Sequence, residues 1–147
     1  MKETKHLGIY GLILENDKIL LVDKVGGPYD GLLDLPGGSM KINEKPMDTL
    51  KREMKEETGL NVLEASLFDC DAAIFDFELE GEMIHHQHVG VFYKIDKYED
   101  DLLGDIKIDE VNDDSRGAKF YDISSLTKDR LSKITIIELE KLGYEVK

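Results

Sequence analysis

The 147-residue chain predicts an α/β fold in which helices cover a β-sheet, organised as a single domain over residues 1–147. Three observations carry this expectation. Apolar runs of strand character recur before and after one strongly helical segment near 46–58. A second helical run closes the chain. No linker, repeat or low-complexity stretch divides these elements, and the length suffices for a real core without staples.

In order, residues 6–14 and 18–25 are apolar stretches joined by Glu15-Asn16-Asp17, whose Asn and Asp suit a hairpin turn. Gly26-Gly27-Pro28-Tyr29-Asp30-Gly31 is a loop of chain breakers. A short strand at 32–35 leads into Leu35-Pro36-Gly37-Gly38, a tight loop whose glycines let backbone approach a ligand or ion. The helix at 46–58 opens on Pro46, whose missing N–H removes no helical bond, and stops at Gly59. Residues 62–79 read as one or two strands, with a turn at Glu80-Gly81-Glu82 and a strand at 83–95. Segment 96–116 carries Asp96, Glu99, Asp100, Asp101, Asp105, Asp109, Glu110, Asp113 and Asp114 and reads as a partly mobile surface loop. A strand at 117–121 precedes a closing amphipathic helix marked by Leu131, Ile134, Ile137, Leu139 and Leu142.

The formal net charge of −13 argues against broad binding to polymeric nucleic acid or to an anionic membrane. It is compatible with a small phosphate ester approached through cations. Cys70 is the only cysteine, so no intrachain disulfide forms, which suggests a reducing compartment or simply no need for a disulfide; a cytoplasmic setting is expected. The N-terminus mixes Lys2, Glu3, Lys5 and His6 with apolar residues and has the pattern of neither a signal peptide nor a membrane span.

On the 46–58 helix, with Glu53 as zero, Glu56 falls near about −60° and Glu57 near about +40°, so three carboxylates share one arc. Leu50, Met54 and Met47 form an apolar stripe beside it, Lys51 and Lys55 point away, and Arg52 flanks the Glu56 edge. Like charges at this spacing cost about 0.2–0.5 kcal/mol per pair. A divalent cation held by hard oxygens, Mg²⁺ or Mn²⁺, would remove the repulsion. The plainer alternative is a solvated acidic face.

Gly38, five residues, Glu44, seven residues, then Arg52-Glu53-Met54-Lys55-Glu56-Glu57-Thr58-Gly59-Leu60 resembles the full signature of the Nudix hydrolases, with no departure at a defining position. The resemblance implies an α/β/α sandwich with a mixed sheet, and hydrolysis of a nucleoside diphosphate linked to another group by in-line attack of metal-activated water. It implies that Glu53, Glu56 and Glu57 hold Mg²⁺, with Mn²⁺ an alternative and the Gly37 carbonyl a further ligand. Glu53 or Glu56 ranks ahead of Glu110, Asp113 and Asp114 as general base, while Glu44 and Arg52 orient the site, Arg52 through a bidentate salt bridge.

Substrate-binding candidates are Gly38, Lys24, Tyr29 and Lys41 near the glycine loop, Phe75 and Phe77 for base stacking, although core packing is the more frequent use of such aromatics, His86, and Glu110 and Asp113. His86 and His88 alternate onto one strand face with His85 on the other, and ordinary polar strand positions explain them better than a phosphate or metal role does. The prolines are Pro28, Pro36 and Pro46, so the proline downstream of the signature that marks ADP-ribose pyrophosphatases is absent. So is the tyrosine of the dinucleoside-polyphosphate subtype, since Ile74, Phe75 and Asp76 stand there. A compact member acting on nucleoside triphosphates, damaged ones included, is the reading that remains, with ADP-ribose or another nucleotide sugar as the alternative substrate. A non-catalytic nucleotide or sugar-nucleotide sensor is the alternative function, and a homodimer stays open. The acidic loop lacks the glycine and ligand spacing of an EF-hand.

Overall fold

The computed structural model describes residues 1–100 and 115–147. Its first sheet comprises β1 (Lys2–Leu12), β5 (Gly37–Ser39), β6 (Leu60–Leu79) and β7 (Glu82–Asp100), in the order β5-β1-β7-β6. β1 runs parallel to β7, while β5 and β6 run antiparallel to their neighbours, so the sheet is mixed. A second sheet centres on β3 (Lys18–Lys24), paired with β2 (Leu14–Glu15), β4 (Leu33–Asp34) and β8 (Ser115–Asp122).

The expected hairpin forms only between β2 and β3. Asn16 (φ 50°) and Asp17 (φ 63°) make its two-residue turn. β1 instead belongs to the first sheet, and the chain changes sheet at Ile13. The loop expected at 36–38 is partly strand, because Gly37 and Gly38 pair with Tyr10 and Ile9. The region expected as one or two strands at 62–79 is a single long one, turned at Glu80 and Gly81 into β7. Residues 96–100, expected in a loop, continue β7 against Leu60–Glu64 of β6, since Asp96 and Glu99 stay exposed on the edge of the hairpin. The rest of that expected loop lies outside the described residues up to the start of β8, and with it Glu110, Asp113 and Asp114.

Two helices lie on opposite sides. α1 (Pro46–Thr58) buries Leu50 and Met54 against Ile9, Ile13, Leu20, Val22 and Leu60. α2 (Lys133–Lys141) buries Ile134 and Leu139 in a second cluster with Tyr10, Leu12, Ile19, Leu21 and Phe92. Alternation sends Ile9 to one cluster and Tyr10 to the other, and likewise Leu20 and Leu21. The result is a helix–sheet–helix sandwich with a mixed sheet, as expected.

α1 is positioned at both ends. The Lys45 N–H donates to Asp48 Oδ2 at 3.0 Å, and Pro46 follows at the first helical position. Gly59 closes the helix at φ 77°, its N–H reaching Lys55 O at 3.0 Å. Removing a fully buried side chain such as Leu50 by substitution to Ala would cost about 2–5 kcal/mol and would loosen the acidic face behind it.

Candidate functional site

α1 turns its acidic face toward β5, which brings the glycine backbone over two of the carboxylates. Glu57 is buried, and its Oε1 accepts the Gly37 N–H at 3.0 Å while Oε2 has no partner among the described residues. Burial pushes this carboxyl up to about 8, with Lys24 and the Gly37 N–H pulling it back and the Glu53 carboxylate raising it further. Glu53 lies under Gly38, where an added Cβ would stand 2.8 Å from its carboxyl carbon. The backbone there can be occupied only by glycine without displacing Glu53.

Arg52 organises the other side. Its Nε and Nη2 donate to Glu44 Oε2 and Oε1 at 2.6 and 2.9 Å, Nη1 donates to Glu53 at 2.9 Å and to Glu56 at 3.2 Å, and Nη2 also reaches Ser39 O at 3.0 Å. The helical wheel placed Arg52 beside Glu56 alone; the long side chain curls back and serves Glu53 as well. Glu44 is fixed further by the Lys41 N–H and the Thr49 hydroxyl at 2.8 and 2.9 Å. The Arg52 hydrogen bonds hold its carboxyl down at about 2, so Glu44 stays anionic. Glu56 is about half exposed and leans on Arg52.

No group of three or more His, Cys, Asp or Glu side chains among the described residues is drawn together as a ready cation site. Glu53 and Glu57 interact directly, and Glu56 is joined to Glu53 through the shared Arg52 Nη1. A divalent cation nevertheless fits this donor set: Glu57 carries an orphaned buried carboxylate oxygen, and Glu53 repels it. Hard oxygens with one unsatisfied lone-pair set are what Mg²⁺ or Mn²⁺ takes.

Two contiguous cavities adjoin the carboxylates. One of about 380 Å³ is bounded by Gly37, Gly38, Lys41, Arg52 and Glu53. The other, about 260 Å³, runs deeper between Tyr10, Tyr29, Asp34 and His88 under the 26–28 loop. His6, Lys24 and Gly38 line both. Of the sequence candidates, Gly38, Lys24, Tyr29 and Lys41 therefore come together around one cleft.

Phe75 and His86 do not line it. Phe75 stacks on Tyr29 at 5.5 Å between ring centres, and His86 packs edge-on to Phe75 and Phe77. They form the wall behind the cavity rather than its surface. His86 and His88 share a face as alternation required, but they are buried rather than ordinary solvated positions. His85 on the other face pairs with Asp76 at 2.6 Å.

Sequence reasoning missed Tyr10, Asp34, His6 and the bonding of His88. Both His88 nitrogens are used, Nε2 with Tyr10 Oη at 2.7 Å and Nδ1 with Tyr29 Oη at 2.8 Å. Burial pulls the imidazole down to about 3, and nearby His6, His86 and Lys24 add to this, so the ring is neutral. Burial also raises both phenols above the ordinary range. Asp34 is fully buried, its Oδ1 accepting from Leu35 N at 2.8 Å and from Ser132 Oγ at 2.7 Å. Burial raises this carboxyl as well. Ser132 caps α2, so Asp34 ties that helix to the cleft. Period-two alternation was the one available signal: it puts Tyr10 with His6 on one face of β1 and His88 with His86 on one face of β7, while the register that joins the two faces is set only in the sheet.

The chain matches the NUDIX domain family over residues 4–139. It belongs to the Nudix family. It is 30% identical over 122 residues to an ADP-ribose pyrophosphatase of Methanocaldococcus jannaschii, covering 83% of this chain and 64% of that protein. It is 38% identical over 65 residues to an 8-oxo-dGTP diphosphatase of Buchnera aphidicola, covering 42% of this chain and 48% of the other. The chain thus spans less than two thirds of the length of these relatives. In fold it is similar to a MutT NUDIX hydrolase from Burkholderia pseudomallei, with a TM-score of 0.75 at 21% identity over 95% of this chain and 98% of that one. No helix among the described residues is long and apolar enough to cross a membrane.

Proposed function

We propose that the chain is a Mg²⁺-dependent pyrophosphohydrolase that cleaves the diphosphate linkage of a nucleoside triphosphate or another nucleoside diphosphate derivative. The observation that carries this reading is the buried Glu57 carboxylate, with one oxygen unpartnered among the described residues and Glu53 beside it beneath the glycine backbone. A fold does not maintain such a group for stability, because a buried polar atom left without a hydrogen bond is costly.

Glu53, Glu56 and Glu57 would hold the cation, with the Gly37 carbonyl as a further ligand. When bound, the cation supplies charge neutralisation at the diphosphate and a more acidic water. Arg52 keeps the Glu53 carboxylate in one orientation, and Glu44 keeps Arg52 in place. Glu53 or Glu56 takes the proton of the attacking water; of the two, Glu56 is the more open to solvent. Lys24, at the junction of the two cavities, meets the phosphate charge, and Lys41 lies at the outer end. Mn²⁺ would serve the same oxygen ligands.

The relatives' printed activities support both a damaged nucleoside triphosphate and ADP-ribose as substrate classes. The absence of the downstream proline favours the former. The single cysteine supports a cytoplasmic setting. Phosphate and pyrophosphate release from a panel of nucleotides, sugar nucleotides and dinucleotides, with and without Mg²⁺, tests the reading against Glu56→Gln. Metal-dependent turnover that collapses in the variant supports the enzyme. Tight nucleotide binding with no turnover of any compound supports a sensor.

A further inference from the structure

The wall of the deeper cavity carries a directional hydrogen-bond chain. A neutral imidazole has one donor and one acceptor nitrogen, so of the two phenols bonded to His88 one must donate and the other must accept. The accepting phenol keeps its own proton. The Tyr29 hydroxyl lies at the N-terminal end of α2, close to Ile134, where the helix has free donors and a positive end. That positive end makes the Tyr29 hydroxyl the better donor of the two phenols. The chain therefore runs from the Tyr29 hydroxyl to His88 Nδ1, and from His88 Nε2–H to Tyr10.

Tyr10 ends the chain. Its proton has no acceptor among the described residues, and its ring lines the cavity. Gly8 leaves the space in which the Tyr10 hydroxyl sits, because an added Cβ there would collide with it. The ring of His6 stacks on His88 at 5.1 Å and 22° and faces the same space. Lys24 stands between the carboxylate end of the cleft and this end, whose one lining acid among the described residues is the buried Asp34, already bonded to Leu35 N and Ser132 Oγ. The uncharged part of a substrate belongs here, and its diphosphate on the far side of Lys24.

We propose that the Tyr10 hydroxyl is a specificity-determining donor that takes an acceptor atom on the heterocyclic base of the substrate, with Tyr29 and His88 as positioning residues that aim it. This rests on the pyrophosphohydrolase reading for the location of the diphosphate. The wall remains an uncharged donor across the neutral range, because His88 is held neutral and phenols keep their protons there.

The test compares wild type, Tyr10→Phe and Tyr29→Phe on the best nucleotide of the panel and on its abasic ribose counterpart. Tyr10→Phe should raise KM for the nucleotide about 3- to 10-fold with kcat kept within about twofold, the worth of one neutral hydrogen bond. The abasic compound's kcat/KM should not respond. Tyr29→Phe should give a smaller rise, since His88 then has a free nitrogen and no longer fixes the direction of the chain. Unchanged KM in Tyr10→Phe overturns the proposal, as does an equal change for the abasic compound, which marks a merely structural role. If wild type turns over nothing, the enzyme reading fails by itself. Nucleotide affinity by calorimetry then replaces KM, and Tyr10→Phe must weaken binding of the nucleotide alone. Absence of binding by wild type overturns both.

Discussion

Arg52 holds Glu44 by two parallel bonds, Nε to Oε2 at 2.6 Å and Nη2 to Oε1 at 2.9 Å, and spends its remaining nitrogen on Glu53 and Glu56. A lysine has the charge but not the fork. Arg52→Lys should lower kcat/KM about 10- to 100-fold, the usual effect of removing a support behind a metal ligand. Folding should be nearly intact by circular dichroism. Equal activity in the two proteins would remove Arg52 from the account.

Two adjacent glycines should fail in different ways. At Gly37 (φ 147°) a Cβ would strike the Ile9 carbonyl and the Tyr10 backbone, so Gly37→Ala should cost roughly 1–3 kcal/mol in urea unfolding. At Gly38 the Cβ meets only the Glu53 carboxyl. Gly38→Ala should leave stability within about 1 kcal/mol and lower activity about 10- to 100-fold through displacement of Glu53.

Glu57→Gln replaces a buried carboxyl by an amide that keeps an oxygen for the Gly37 N–H. The thermal midpoint without metal should equal or exceed that of wild type, and activity should be lost. Mn²⁺ should raise the wild-type midpoint by mass action and leave the variant unmoved. A metal shift that survives the substitution would place the cation elsewhere.

Glu138 on α2 has 0% exposure and lies against Asp69 of β6. Burial first, then Asp69, lifts its carboxyl to about 8, while Lys141, bonded to Asp69 and Asp71 at 2.6 and 2.5 Å, pulls the other way. An unfolded glutamate titrates near about 4.3. Between these values the folded chain holds the extra proton, so stability is full below about 4.3 and is lost as pH rises through about 8. Thermal melts from pH 4 to 9 should show that loss in wild type and a flatter profile in Glu138→Gln.

The parts of this site legible in the sequence are those with local causes. Pro46 and Gly59 bound α1 because capping is settled within a few residues, and the shared arc of Glu53 and Glu57 follows from helical period alone. The Tyr10, Tyr29 and His88 contacts join residues 78 and 59 apart in sequence. No periodicity encodes which strands will be neighbours, so β1 beside β7, and with it this chain of bonds, emerges only in the folded sheet. The β6–β7 hairpin was legible in its strands and its turn at Glu80-Gly81-Glu82, and only its far end was hidden, for another reason. Asp96 and Glu99 give that end the composition of a loop, yet at a sheet edge both are exposed to water.

The most direct measurement is initial rate against Mg²⁺ concentration, on the best nucleotide of the panel, for wild type and Glu57→Gln. The account predicts a saturable curve for wild type with no rate at zero metal, and a loss of at least about 100-fold in the variant. A rate that persists without divalent metal, or a variant curve that overlies wild type, would contradict it.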